Sequence, residues 1–190
     1  MTPISNLTLG DNSTMDTMIF KHNNLPYGSH VLVLLPCLQL TDGPVLELGG
    51  GIYSTSLLSL YSQSRFCRTI ETNSFWFQKI RAFFPVSPKI TDQRGHEILH
   101  VESYHDAVID DHNWEIVFID QEASCRVDSV KHLKERCRIM IVHDTERPAL
   151  CESTLNFRYR LDVKKVLPNT SVLSDSDDLE WLKARLFDIM

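Results

Sequence analysis

Glycine is scarce in this 190-residue sequence, seven in all, yet three stand side by side at Gly49, Gly50 and Gly51. Other shortages exclude whole classes of protein. The five cysteines (Cys37, Cys67, Cys125, Cys137, Cys151) include no CxxC pair, so a zinc ribbon or a thioredoxin-like redox pair is not expected. Their odd number and partly apolar neighbourhoods read as small core residues in a reducing compartment. The longest apolar run, VLVLLPCLQL from Val31 to Leu40, is too short to span a bilayer and carries Pro36, so no membrane association is expected. No basic stretch followed by an apolar one opens the chain, which reads as no signal peptide and a cytoplasmic location. The N-x-[ST] triplets at Asn6, Asn12 and Asn169 then carry no meaning. Nor is there a basic excess: 19 Lys and Arg face 25 Asp and Glu, for a net charge of -6. Nucleic acid is therefore not the expected partner. No G-K-[ST] follows the glycines, which excludes a P-loop.

What is present reads as one domain. Hydrophobic residues make up 43% and charged residues 23%, ordinary for a globular chain able to bury a core without disulfides. Residues 1–28 are polar and read as a lead-in or lid, and residues 29–190 as the domain. Ser29–Leu40 reads as a helix with Ser29 as N-cap and a kink at Pro36. After the TDGP turn, strands and helices alternate. The strands are Val45–Leu48, Cys67–Thr72, His96–Ser103, Glu115–Asp120 and Arg138–His143. The helices are Thr55–Gln63, Phe75–Phe84, Arg126–Arg136 and Leu150–Tyr159. Val163–Leu167 and Ser171–Leu173 read as a late hairpin around PNT, and Asp177–Phe187 as a final helix with its acids at the N-terminal end. Alternation of this kind makes parallel βαβ units. VLEL, EIVFI and RIMIV are apolar rather than alternating, as in strands covered on both faces. The predicted fold is α/β: a doubly wound, mostly parallel, seven-stranded Rossmann-like sheet with a C-terminal antiparallel hairpin and helices on both faces.

In such sheets ligands bind beyond the carboxyl ends of the strands. There stand Glu47 to Thr55, then Glu71, then Ser103 to Asp106, Asp120 to Glu122, and His143 to Glu146. The glycines suit a strand-to-helix turn that a ligand approaches closely. Ser54 and Thr55 can cap the helix that follows. Glu71 follows Gly49 by 22 residues, a spacing at which a carboxylate can bind both hydroxyls of a ribose. These features fit an adenosine-containing ligand, either NAD or S-adenosylmethionine. Glu47 separates the two, because NAD-binding turns usually lead in with apolar residues. LELGGGIYST with Glu71 resembles motif I and the following acid of the class I S-adenosylmethionine-dependent methyltransferases, whose pattern is [DE]-x-G-x-G. EIVFID resembles that family's fourth strand, RIMIVHDTE its fifth, and the late hairpin its sheet edge.

The resemblance implies S-adenosylmethionine as cofactor. Glu47, Gly49, Gly50 and Gly51 would lie under its methionine part, Glu71 at its ribose, and Ser103 and Tyr104 at its adenine, with Tyr53, Ser54, Thr72 and Asp120 as further cofactor-binding candidates. Trp76 could stack on the same ring. Tyr53 stands where many members have a small residue, and could line the cofactor pocket, cover it, or simply pack.

Asp120 and Asp144 end adjacent strands, which lie ~4.8 Å apart, so both could reach one Mg²⁺, a cation that prefers oxygen ligands. That placement resembles the metal-dependent, catechol-type small-molecule O-methyltransferases. The likeness is partial: Thr145 replaces the group's asparagine, and QEAS replaces the stretch bearing its lysine. Asp120 and Asp144 from the resemblance, and His143 from its position beside them, are the catalytic candidates, with Asp120 also at the cofactor. His143 or His30 could take up a proton, since imidazole titrates near neutrality. A second reading of Asp120, Arg126, Asp144 and Arg147 is a charged network that orders the loops. The expected activity is methyl transfer to an oxygen or nitrogen of a small-molecule acceptor. The alternatives are a non-catalytic, cofactor-binding or scaffold member of the fold, and an NAD-binding oxidoreductase. The sequence leaves the oligomeric state open.

Overall fold

Val45–Leu48 forms β1, and all four of its residues are buried. The computed structural model describes residues 28–84 and 94–186. In chain order the described elements are α1 (Val31–Leu40), β1, α2 (Ile52–Tyr61), β2 (Phe66–Glu71), α3 (Ser74–Phe83), β3 (Gly95–His100), β4 (Trp114–Ile119), α4 (Ala123–Leu133), β5 (Cys137–His143), α5 (Pro148–Thr154), β6 (Tyr159–Val163), β7 (Thr170–Ser174) and α6 (Glu180–Leu186). Short 3-10 turns lie at Tyr104–Asp106 and Lys134–Arg136.

The seven strands form one sheet in the order β3-β2-β1-β4-β5-β7-β6. The first five run parallel, and β7 pairs antiparallel with both β5 and β6. The chain moves outward from β1 to β3 and then returns to the other side of β1 as β4. That reversal opens a crevice beyond the carboxyl ends of β1 and β4. Leu48 lies level with both Ile70 and Ile119, so three strands stop together there. The expected doubly wound sheet with an antiparallel hairpin edge is the one observed.

Burial accounts for the layers. Val33, Leu34 and Cys37 of α1, Leu58 of α2, and Leu182 and Leu186 of α6 pack with Val45, Cys67, Phe118 and Ile141 on one face. Val130 and Leu133 of α4 and Leu150 of α5 pack with Leu46, Leu48, Ile70, Val117 and Val142 on the other. Strands covered on both faces need apolar side chains at successive positions. All five thiols are free, and burial pushes those of Cys37, Cys67 and Cys137 up to about 12. No helix among the described residues is long and apolar enough to cross a membrane.

Three local expectations are corrected. Ser29 does not cap α1: His30 holds the N-cap position with no side-chain hydrogen bond, and the Ser29 hydroxyl turns to His143 instead. The helix expected over Leu150–Tyr159 stops at Thr154, and β6 begins at Tyr159 rather than Val163. The reason lies in YRLDV, where Leu161 and Val163 are buried while Arg160 and Asp162, half-buried, pair with each other at 2.7 Å. That two-residue period belongs to an edge strand, whereas Lys164 and Lys165 beyond it are exposed. Finally, β3 ends at His100, which leaves Ser103 off the strand. The expected lead-in, apart from Gly28, and nearly all of the expected loop at 85–95 lie outside the described residues.

Candidate functional site

The turn after β1 is built by backbone geometry. Gly49 has φ +89, and a Cβ there would lie 2.4 Å from the Gln121 nitrogen. Its N–H donates to Ile70 O at 2.9 Å, while Asp120 N–H donates to Leu48 O at 2.8 Å. Gly49 is therefore required by the neighbouring backbone as well as by its own conformation. A Cβ on Gly50 would meet Ile80 Cδ1 at 2.5 Å and Thr69 Cγ2 at 2.9 Å. Gly51 is freer, with Ser54 Oγ at 3.3 Å from a Cβ.

Glu47 braces this turn from behind. It is fully buried, and its Oε2 accepts hydrogen bonds from Thr55 Oγ1 at 2.8 Å and Thr69 Oγ1 at 2.6 Å. Thr55 Oγ1 in turn accepts the Gly51 N–H at 3.1 Å. Because the Thr69 proton points to Glu47, His96 Nε2–H donates to Thr69 (2.8 Å), and Ser59 donates to His96 Nδ1 (2.8 Å). That tautomer is neutral, in keeping with a His96 pKa lowered to about 4 by burial. Burial raises the Glu47 carboxyl to about 7 against the opposing hydrogen bonds of Ser54, Thr69 and Thr55. Its Oε1 is buried without a partner.

In front of the turn lies a cavity of about 700 Å³, lined among others by Gly49–Gly51, Glu71, Trp76, Tyr104, Asp120 and His143. At one end, Glu71 Oε2 accepts the Gly50 N–H at 2.9 Å and Oε1 the Asn73 N–H at 2.7 Å. Burial raises its pKa, opposed by the backbone N–H groups of Asn73, Gly50 and Thr72. Asn73 also caps α3, accepting from Phe75 and Trp76 N–H, which sets Trp76 at the cavity wall. Tyr104 is buried there, and burial, then the Glu71 charge, raises its phenol.

At the other end Arg126, reaching from α4, organises the ends of β4 and β5. Its Nη2 donates to Asp120 Oδ1 at 2.9 Å and its Nη1 to Asp144 Oδ2 at 2.7 Å. Further bonds run from Nη1 to His143 O at 2.9 Å and from Nε to Gln121 O at 2.5 Å. Asp144 sits at φ 61, a conformation that Asp tolerates better than most residues, and Arg147 pairs with it at 3.4 Å. His143 Nδ1–H donates to Asp120 Oδ1 at 3.0 Å, and its Nε2 meets Ser29 Oγ at 2.9 Å. Burial works to raise the Asp120 carboxyl, but the hydrogen bond and charge of His143, with Arg126 and His30, hold it below the usual range. His30 faces the same carboxylate, with Nδ1 3.8 Å from Asp120 Oδ2. Burial takes its pKa down to about 4, so its ring is neutral at neutral pH.

No protein-family model and no curated protein sequence matches the chain. Solved structures do. An O-methyltransferase from Bacillus cereus in complex with SAH aligns at a TM-score of 0.56 and 15% identity over 86% of this chain and 88% of that one. The O-methyltransferase TomG from Streptomyces achromogenes, in complex with SAM and involved in tomaymycin synthesis, gives 0.56 and 17% over 88% and 92%. A precorrin-6y C5,15-methyltransferase from Geobacter metallireducens gives 0.53 and 17% over 80% and 93%. The fold is that of the class I methyltransferases.

Within this methyltransferase fold the expected site residues divide into two groups. Gly49, Gly50, Gly51, Tyr53, Glu71, Thr72, Tyr104, Asp120, His143 and Asp144 all line the cavity, as does Trp76. Tyr53 is half-exposed, and its ring lies 3.6 Å from the Cβ position of Gly28, so it stands at the rim, against the start of the described chain. Glu47, Ser54 and Ser103 are not among the lining residues. Glu47 and Ser54 are buried behind the turn. Ser103 accepts the His105 N–H at the start of a 3-10 turn. Arg126 lies between Asp120 and Asp144, the place expected for Mg²⁺; the charged-network reading describes that pair better than an oxygen-only cation site. Pro168, also in the lining, and the Thr69–His96 brace escape a reading of the sequence, and neither carries a spacing that marks it.

Proposed function

We propose that the chain binds S-adenosylmethionine in this cavity and transfers its methyl group to an oxygen or nitrogen of a small-molecule acceptor. The observation that carries the reading is the arrangement around the glycine turn. A Cβ-free backbone at Gly49–Gly51 and a carboxylate at the end of β2 line one end of a cavity at the sheet's switch point. The residues present fit the cofactor. Both Glu71 oxygens already accept a backbone N–H, and each has a further lone pair to offer a ribose hydroxyl. Tyr104 and Trp76 supply flat surfaces for an adenine. The volume, about 700 Å³, falls within the usual range for a ligand pocket.

When bound, the cofactor supplies an electrophilic methyl group on sulfur. The chain's own residues position the partners, which is the larger part of catalysis in such a displacement. The glycine turn and Glu71 orient the cofactor. His30, Asp120 and His143, beside the ends of β4 and β5, form the region for the acceptor, where its proton must be taken up as the new bond forms. Arg126 keeps Asp120 ionised and fixed. Removing a hydrogen-bond partner to a charged group costs about 1–3 kcal/mol, so Glu71→Ala should weaken S-adenosylmethionine binding roughly 5- to 150-fold. Calorimetry on a variant that keeps its circular dichroism would show this. Unchanged affinity would remove Glu71 from the site.

A further inference from the structure

His30 presents an unsolved pairing problem. It is 1% exposed, yet both its ring nitrogens are buried without a hydrogen-bond partner. Two orphaned polar atoms on one side chain are costly to retain. One side of the ring packs on Phe118, with centroids 4.8 Å apart; it also meets His143 edge-on at 5.0 Å and faces the Asp120 carboxylate. One ligand atom from each of His30, Asp120 and His143 lies within 4.8 Å of the others.

We propose that His30, Asp120 and His143 form a binding site for one divalent transition-metal ion of the zinc type. Two of the three separations suit it: His143 Nδ1 is 3.0 Å from Asp120 Oδ1, and His30 Nδ1 is 3.8 Å from Asp120 Oδ2; the two imidazoles come within 4.8 Å of each other. A cation about 2.0–2.2 Å from each ligand needs them roughly 3–4 Å apart. Two imidazoles and one carboxylate favour zinc and its neighbours over Mg²⁺, which prefers oxygen. Asp120 is prepared for the role, since Arg126 Nη2 bonds Oδ1 and Oδ2 is the oxygen turned toward His30.

Ser29 is the supporting contact. With a metal on Nδ1, His143 carries its proton on Nε2 and donates it to Ser29 Oγ at 2.9 Å. Ser29 then donates its own proton to Pro168 O at 3.2 Å. Both bonds are satisfied at once, and the imidazole is held in the ligating tautomer. All three ligands line the cavity, so the remaining coordination positions open toward the acceptor end. There a bound oxygen would lose its proton more readily. The site stands on the chain's own side chains and does not depend on S-adenosylmethionine.

The test uses the full chain, stripped with a chelator and dialysed, with no cofactor added. Co²⁺ alone is titrated while the visible absorption of the ion is followed, and Zn²⁺ is titrated by calorimetry. One equivalent of each should bind, with no sulfur-to-cobalt charge-transfer band, because the five cysteines take no part. His30→Leu should weaken binding at least 100-fold without lowering the unfolding temperature of the metal-free protein, since His30 makes no hydrogen bond to lose. Ser29→Ala should weaken binding 10- to 100-fold. The proposal fails if wild type binds neither ion, if His30→Leu binds Co²⁺ as wild type does, or if the band reports thiolate ligation.

Discussion

Glu47 is the residue whose chemistry differs most from its place in the sequence. It sits inside the glycine motif, yet its carboxylate faces Thr55 and Thr69 behind the turn. Its ordinary pKa of 4.5 rises to about 7 on burial. The folded protein therefore holds a proton that the unfolded chain has lost between these values. The associated stability is full below about pH 4.5 and falls as pH rises through about 7. Glu47→Gln stays neutral, so its stability relative to wild type should grow by up to about 3 kcal/mol from pH 5 to pH 8. Urea unfolding across that range would show it, and a flat difference would mean that Glu47 ionises freely in its pocket. Residue types were thus legible from the sequence while their reasons were not. The glycines and Glu71 line the cavity. Gly49, however, makes room for the Asp120–Gln121 backbone, a contact between distant segments that no local pattern encodes.

At the scale of elements, two joints hold the site: the β1–α2 turn, and the Arg126 bridge from α4 to the ends of β4 and β5. Gly49→Ala should destabilise by more than the ~1–2 kcal/mol of left-handed backbone strain, because its Cβ would also strike backbone, while Gly51→Ala should unfold within a few degrees of wild type. Equal unfolding temperatures for the two would contradict the turn geometry. Arg126→Met would leave Asp120 and Asp144 without their shared cation, a loss on the order of 3–5 kcal/mol for a buried pair, readable as a lower denaturation midpoint. A change under about 1 kcal/mol would show the bridge to be incidental. The strands apolar along their length announced the parallel sheet, and the acids after them announced its binding edge. The hairpin was harder. YRLDV carries its period in only five residues, next to a helix whose end has no glycine, so α5 was read too long. Which of the acids would meet each other or an arginine depended on the rotation of α4, and the sequence alone does not set that.

For the molecule as a whole, strand order does the functional work. Placing β1 and β4 side by side, with their following turns on the same edge, creates one cavity lined by the glycine turn, Glu71 and the charged cluster of Asp120, Arg126 and Asp144. The alternation of elements together with the late hairpin made the doubly wound fold class legible, while the order β3-β2-β1-β4-β5-β7-β6 is not encoded in that alternation. The choice between two adenosine cofactors rested on Glu47 alone. The most direct test is equilibrium binding of S-adenosylmethionine, S-adenosylhomocysteine and NAD to the purified chain by calorimetry. One site per chain should take the first two in competition and leave NAD unbound. Binding of NAD, or of neither S-adenosyl compound, would contradict the account.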